Sequence, residues 1–91
     1  MIFFKLDKKV RWSAAKNDWL QENRGISFEL LIQSRFIGVE SNFVKQHQKF
    51  MLFDYENYVW VVPYVENDNE YFLKTAFPSR KHTRKYLEEI R

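Results

Sequence analysis

The apolar positions follow two different periods, and the chain changes from one to the other twice. Ser13 reads as a helix N-cap, followed by Ala14, Ala15, Trp19 and Leu20 on one stripe and Lys16, Asp18, Gln21 and Glu22 on the opposite side. Gly25 stands where a left-handed residue commonly closes a helix. Ser27 is a second cap, with Glu29 in the first turn and Phe28, Leu31 and Ile32 at helical spacing. The short link between the two predicts a helical hairpin.

From Phe36 the period shortens towards two. A strand broken by polar residues is expected over 37–44, and an alternating strand over 49–55. Turn residues follow at 54–57. Residues 58–65 are the most apolar run and predict a central strand, although Pro63 brings no N–H to a ladder and calls for a bulge or strand end nearby. Residues 66–70 form a polar turn, and a last strand runs over 71–77. Pro78 ends it and Ser79 caps a final helix, in which Thr83, Leu87 and Ile90 fall on one face and Lys81, Arg84, Lys85 and Glu88 on the other. Near the start, residues 2–6 are expected as a short edge strand and the charged residues 8–11 as surface. The fold class is therefore α+β: an N-terminal helical hairpin, an antiparallel three- to four-stranded sheet and a C-terminal helix, in one domain over 1–91.

Composition adds limits. The chain has 91 residues, 19% of them aromatic, so a substantial core fits a single domain. Cysteine is absent, which excludes disulfides and thiolate zinc sites and favours a cytoplasmic location. The first residues lack the pattern of a signal peptide, and no apolar run reaches transmembrane length, so no membrane partner is expected. Charge is uneven: residues 1–24 carry a net +3, residues 25–73 a net −4 and residues 74–91 a net +4. A basic end segment of this kind suits either a polyanion or ordinary solubility.

The candidate chemistry lies at that end. No acidic cluster, histidine pair, phosphate loop or nucleophile elbow is visible, so neither metal nor cofactor is expected. Metal-free RNA cleavage needs a base for the 2′-OH, an acid for the leaving oxygen and cations for the phosphorane. His82 is a candidate acid or base. Arg80 and Arg84 are candidate phosphate clamps. Lys74 on the last strand and Lys49 on a neighbouring strand are expected to converge on one sheet face. Lys81 and Lys85 extend the basic surface, and Tyr86, Tyr71 or Phe77 are candidate stacking platforms for an unpaired base. Each also has a plainer reading: His82 and the lysines as solvated surface, Tyr86 as core. Trp12, Trp19 and Trp60 are expected in the core.

Trp12-Ser13, Ala14, Ala15, Asn17, Gly25, Ile26, Ser27 and Phe28 stand at spacings that resemble the opening of BrnT-type toxins. The run YFLKTAFPSRKHTRKYLEE is similar to the last strand and helix of RelE-like ribonucleases. Ser13 stands where the family usually has Asp, and Asn23-Arg24 where it has Lys-His. The resemblance implies a RelE-like fold and a type II toxin: an endoribonuclease that cuts mRNA, is neutralised by an antitoxin protein and can associate with the ribosome. It puts Arg80, within Ser79-Arg80-Lys81, in the phosphate-binding role, and Lys49 where an Arg often begins the first meander strand. Two other expectations remain open: a non-catalytic regulator that binds protein or nucleic acid on the same fold, and a DNA-binding subunit using the helical hairpin. The hairpin lacks the exposed basic and amide residues that base readout requires.

Overall fold

In a computed structural model, residues 8–88 are described. They form β1 (Lys9–Trp12), α1 (Ala14–Arg24), α2 (Phe28–Gln33), β2 (Arg35–Ser41), β3 (Lys49–Tyr55), β4 (Tyr58–Glu66), β5 (Glu70–Leu73), β6 (Phe77–Pro78) and α3 (Arg80–Thr83). The last helix continues over Arg84–Glu88 as a wider π turn. The α+β class stands, but the sheet is six-stranded and mixed. Its order is β1-β5-β4-β3-β2, with β6 also on β4. The extra strand is β1, which pairs parallel with β5 from Lys9↔Glu70 to Trp12↔Leu73. Its charged residues were expected only as surface. Here Val10 and Trp12 point into the core while Lys9 and Arg11 point out. The edge strand expected at 2–6 and the inward position of Ile90 lie outside the described residues.

Both helix caps form as the sequence indicates. Ser13 Oγ accepts from the Lys16 N–H and Ser27 Oγ from the Leu30 N–H, and Gly25 is left-handed at φ 63°. The inner face of α1 differs from the expected stripe. Ala14 and Ala15 are exposed and Trp19 is 41% exposed, whereas Asn17 and Leu20 are buried. Asn17 goes inside because it joins the two helices: its carboxamide oxygen accepts from Phe28 N–H and its nitrogen donates to Glu29, both at 2.8 Å. Trp19 stays outside between two cations, with Lys16 Nζ 4.8 Å and Arg24 Cζ 4.9 Å from its ring centroid.

The sheet is covered on both faces. Phe28, Leu31, Leu20 and Ile26 from the hairpin pack on Met51, Phe53, Trp60, Val62 and Tyr64. The C-terminal helix places Leu87 on Leu52, Val59 and Val61 from the other side. β3 and β4 are joined by a two-residue turn with positive φ at Glu56 and Asn57, the signature of a tight hairpin.

Pro63 does not interrupt β4. It interrupts the strand beside it. The Pro63 carbonyl accepts from Lys74 N–H at 2.8 Å, so the edge of Pro63 that lacks an N–H faces the same neighbour. There the expected strand over 71–77 splits into β5 and β6, and residues 74–76 stand outside the ladder. The break anticipated in the proline's own strand has moved to its partner.

The C-terminal helix is fastened by a closed ring of hydrogen bonds. Ser79 N–H donates to Val59 O at 2.9 Å, Val59 N–H donates to Thr83 Oγ1 at 2.9 Å, and Thr83 Oγ1 donates to Ser79 O at 2.7 Å. Thr83→Val keeps the shape and leaves the buried Val59 N–H without a partner. We expect a loss of about 1–3 kcal/mol in denaturant unfolding. A loss below about 0.5 kcal/mol would mean that this ring does not hold the helix.

Candidate nucleic-acid interface

The site is assembled by a one-residue irregularity in β2. Phe36 pairs with Phe53, but the next pair is Gly38↔Leu52, so Ile37 is an extra residue. Beyond the bulge Glu40 lies opposite Phe50, and Ser41 lies opposite Lys49. An unbroken register would set Glu40 opposite Lys49, on the hairpin side. Because side chains alternate, the one-residue shift moves Glu40 to the face covered by the C-terminal helix.

There Glu40 accepts from three side chains of that helix. Its Oε1 lies 3.0 Å from His82 Nε2, its Oε2 lies 3.2 Å from Lys85 Nζ, and the Tyr86 hydroxyl donates to the same Oε2. The other ring nitrogen of His82, Nδ1, is 2.6 Å from Ser79 Oγ. This network assigns the tautomer of a neutral His82: Nε2–H donates to the carboxylate, and Nδ1 accepts from the Ser79 hydroxyl. The Tyr86 ring lies nearly parallel to the His82 ring, at 9°.

Partial burial works against ionisation of Glu40, but hydrogen bonds from Tyr86, His82 and Lys85 outweigh it and hold its pKa down at about 2. The same bond to Glu40, with some burial, raises the Tyr86 phenol. Lys85 is likewise raised by its bond to Glu40. The carboxylate is therefore charged at any physiological pH.

Outside this network the helix presents its cations. Arg80, Lys81, Arg84 and Lys85 stand at i, i+1, i+4 and i+5 and line one open groove of about 640 Å³. Lys85 is paired with Glu40. Among the described residues, Arg80, Lys81 and Arg84 have no carboxylate partner. A second cleft of about 400 Å³ runs along the Glu40 side of the helix, lined by Phe43, Val44, Phe50, Lys81, His82 and Lys85 among others.

The expected working set is thus brought together only in part. Arg80, Lys81, His82, Arg84 and Lys85 share one helix and its grooves. Lys49 does not join them. It pairs across the sheet with Tyr64 on the hairpin face, where its Nζ meets Glu66 at 3.4 Å. Strand parity puts Lys74 on the opposite face from Lys49, with its Nζ 5.5 Å from the Phe72 centroid, and it does not line the Arg80 groove. The convergence expected of Lys49 and Lys74 is therefore corrected. Tyr86 is half-buried against the Leu52–Leu87 cluster, with its hydroxyl engaged. Tyr71 and Phe77 pack on the hairpin-side and helix-side cores respectively. None of the three is an open platform. Glu40 was missed altogether. It lies 42 residues before His82, and its inward direction depends on a bulge that no local pattern marks. Among the described residues, no group of three or more His, Asp or Glu side chains could hold a metal ion. No helix among them is long and apolar enough to cross a membrane.

No protein-family model, curated protein or solved structure matches this chain.

A carboxylate whose pKa falls on folding stabilises the fold fully above its ordinary value of 4.5, and that contribution fades as the pH drops towards about 2. The gap in unfolding free energy between wild type and Glu40→Gln should therefore be widest near pH 7, narrow as the pH falls below about 4.5 and close only near pH 2. A gap that does not change with pH would mean that the charge of Glu40 does not dock the helix.

Proposed function

We propose that this chain binds single-stranded RNA along the Arg80–Lys85 face and cleaves it without a metal ion, as the toxin of a type II toxin–antitoxin pair. The observation that carries the reading is the groove lined by Arg80, Lys81, Arg84 and Lys85, with three of these cations lacking a carboxylate partner among the described residues. Surface cations are ordinarily interspersed with carboxylates, and a run left unpaired on one helix face suits a phosphate backbone. Arg80 and Arg84, one turn apart, are placed to clamp phosphate oxygens.

Glu40 gives His82 a defined part in cleavage. By holding Nε2–H it leaves Nδ1 as the basic nitrogen and stabilises the imidazolium formed when Nδ1 takes a proton. The 2′-OH would take the place of the Ser79 hydroxyl at Nδ1, give up its proton there and bond to phosphorus. The P–O5′ bond would then break, with the proton returned from Nδ1 to the leaving 5′-oxygen and a 2′,3′-cyclic phosphate left behind, while the arginines stabilise the negative charge developing on the non-bridging phosphoryl oxygens. Lys49 and Lys74 have no part in this arrangement.

A second reading, a regulator that acts by binding protein, is favoured by Phe43 and Val44. They are 90% and 91% exposed and border the cleft that contains Lys81, His82 and Lys85. An antitoxin covering this cleft would satisfy both readings.

The test is a salt titration with a short single-stranded RNA, run alongside a 2′-O-methylated copy. Both should bind, and only the native RNA should be cut. Arg80→Ala and Arg84→Ala should each lower the slope of log K against log salt by about 0.7, the value for one phosphate contact on a single strand. Arg80→Ala should also abolish cleavage and any growth arrest on induction, and Lys49→Ala should leave binding unchanged. If wild type binds no RNA at about 0.15 M salt, the proposal fails. If it binds RNA but never cuts it, the regulator reading replaces the toxin.

A further inference from the structure

Beyond the basic groove, the start of the C-terminal helix adjoins a second cavity on the other side of Pro78. It holds about 320 Å³ and is walled by Tyr55, Tyr58, Trp60 and Pro78, with Arg24 and Glu56 among its other lining residues. Three features separate it from an ordinary surface dimple. The walls are aromatic, yet the residues come from separate parts of the chain: the end of α1, the β3–β4 turn, β4 and β6. Arg24 is held in place, donating to the Ala76 carbonyl and lying against the Trp19 ring, and no carboxylate pairs with it among the described residues. β6 is only two residues long and ends at Pro78, which pairs with Trp60 and stands exposed in the cavity wall.

Pro78 lines this cavity and Arg80 lines the basic groove. Ser79 between them is extended, at φ −130° and ψ 114°. Two extended residues span about 7 Å, at ~3.3 Å each. The cavity lies on the hairpin face and the groove on the helix face, so a chain whose phosphate sits on Arg80 would pass over Pro78 and Ser79 to bring an adjoining base to the cavity.

We propose that this cavity is the base-binding subsite of the RNA site, taking one unpaired nucleobase against Tyr58 and the Arg24 guanidinium. The inference rests on the RNA-binding reading above and adds where the base goes. Splayed bases stack on aromatic rings and guanidinium planes and are read at their edges by polar groups. Arg24 donates and Glu56 accepts, so the rim suits a base edge that carries both an acceptor and a donor. Guanine, with O6 and N7 as acceptors and an N2 amine as donor, has both. A cavity of about 320 Å³ is at the small end of ligand pockets and fits one base rather than a longer stack. The subsite also supplies the aromatic platform that Tyr86, Tyr71 and Phe77, packed in the two cores, do not offer.

The probes are a short single-stranded RNA containing guanine and the same ribose–phosphate chain made abasic. Tyr58→Ala should weaken binding of the RNA by roughly five- to 150-fold, the loss of one base–aromatic stack. It should leave the abasic chain bound as by wild type. That unchanged affinity also serves as the control for folding, since an unfolded variant would lose both ligands. Tyr58→Phe, which keeps the ring, should bind like wild type, and Arg84→Ala should weaken both ligands alike. If Tyr58→Ala and Tyr55→Ala bind the RNA as tightly as wild type does, the subsite is overturned while the RNA-binding reading stands. If wild type binds neither ligand, both are overturned.

Discussion

β4 is buried on both of its faces, and much of the fold depends on that. Val59 and Val61 point one way, Trp60, Val62 and Tyr64 the other, and all of them are buried. Full burial of one such side chain contributes about 1.5–3 kcal/mol, so leaving either face in water would cost several times that. A strand of this composition needs a cover on each side. The helical hairpin supplies one and the C-terminal helix the other. The second cover is short, which is why it is tied to β4 at Ser79 and Thr83 through the backbone of Val59 as well as by Leu87.

Because the sheet has two covered faces, the face on which a strand residue emerges decides what it can do. Lys49 emerges under the hairpin and Glu40 under the C-terminal helix, although Ser41, the residue after Glu40, is the one that pairs with Lys49. The bulge at Ile37 sets this outcome. It turns an isolated strand carboxylate into the acceptor for His82, Lys85 and Tyr86, and so fixes the side of the helix that faces the sheet. The cations not drawn into that network are left pointing outwards. The basic groove is thus a consequence of where the one carboxylate went.

Pro63 shows the same economy at the other edge of β4. Its missing donor leaves a gap in the neighbouring strand at residues 74–76, and the chain resumes as the two-residue strand Phe77–Pro78, beyond which Ser79 and Thr83 take up the backbone of Val59. Pro78, paired with Trp60 at the end of that strand, joins Tyr58 and Trp60 in the wall of the aromatic cavity. Both grooves therefore lie on either side of Pro78 and Ser79, where the last strand gives way to the last helix.

The elements that depend on neighbours in sequence were legible from it. Ser13, Ser27 and Ser79 cap helices, Gly25 closes one, β3 has the bounds that its alternation implies, and the basic helix begins at Arg80. Arg80, Lys81, Arg84 and Lys85 could be grouped in advance because helical spacing alone puts them together. Pairing between distant segments was not legible. The parallel strand at Lys9–Trp12 exists because β5 offers an edge, Asn17 is buried because Phe28 and Glu29 meet it, and Lys49 is excluded by sheet register. Glu40 reaches His82 only through a bulge whose effect is to reverse a face. Local periodicity determines which side chains an element presents together. Register and packing decide which way that element turns, and the sequence carries no short-range mark of either.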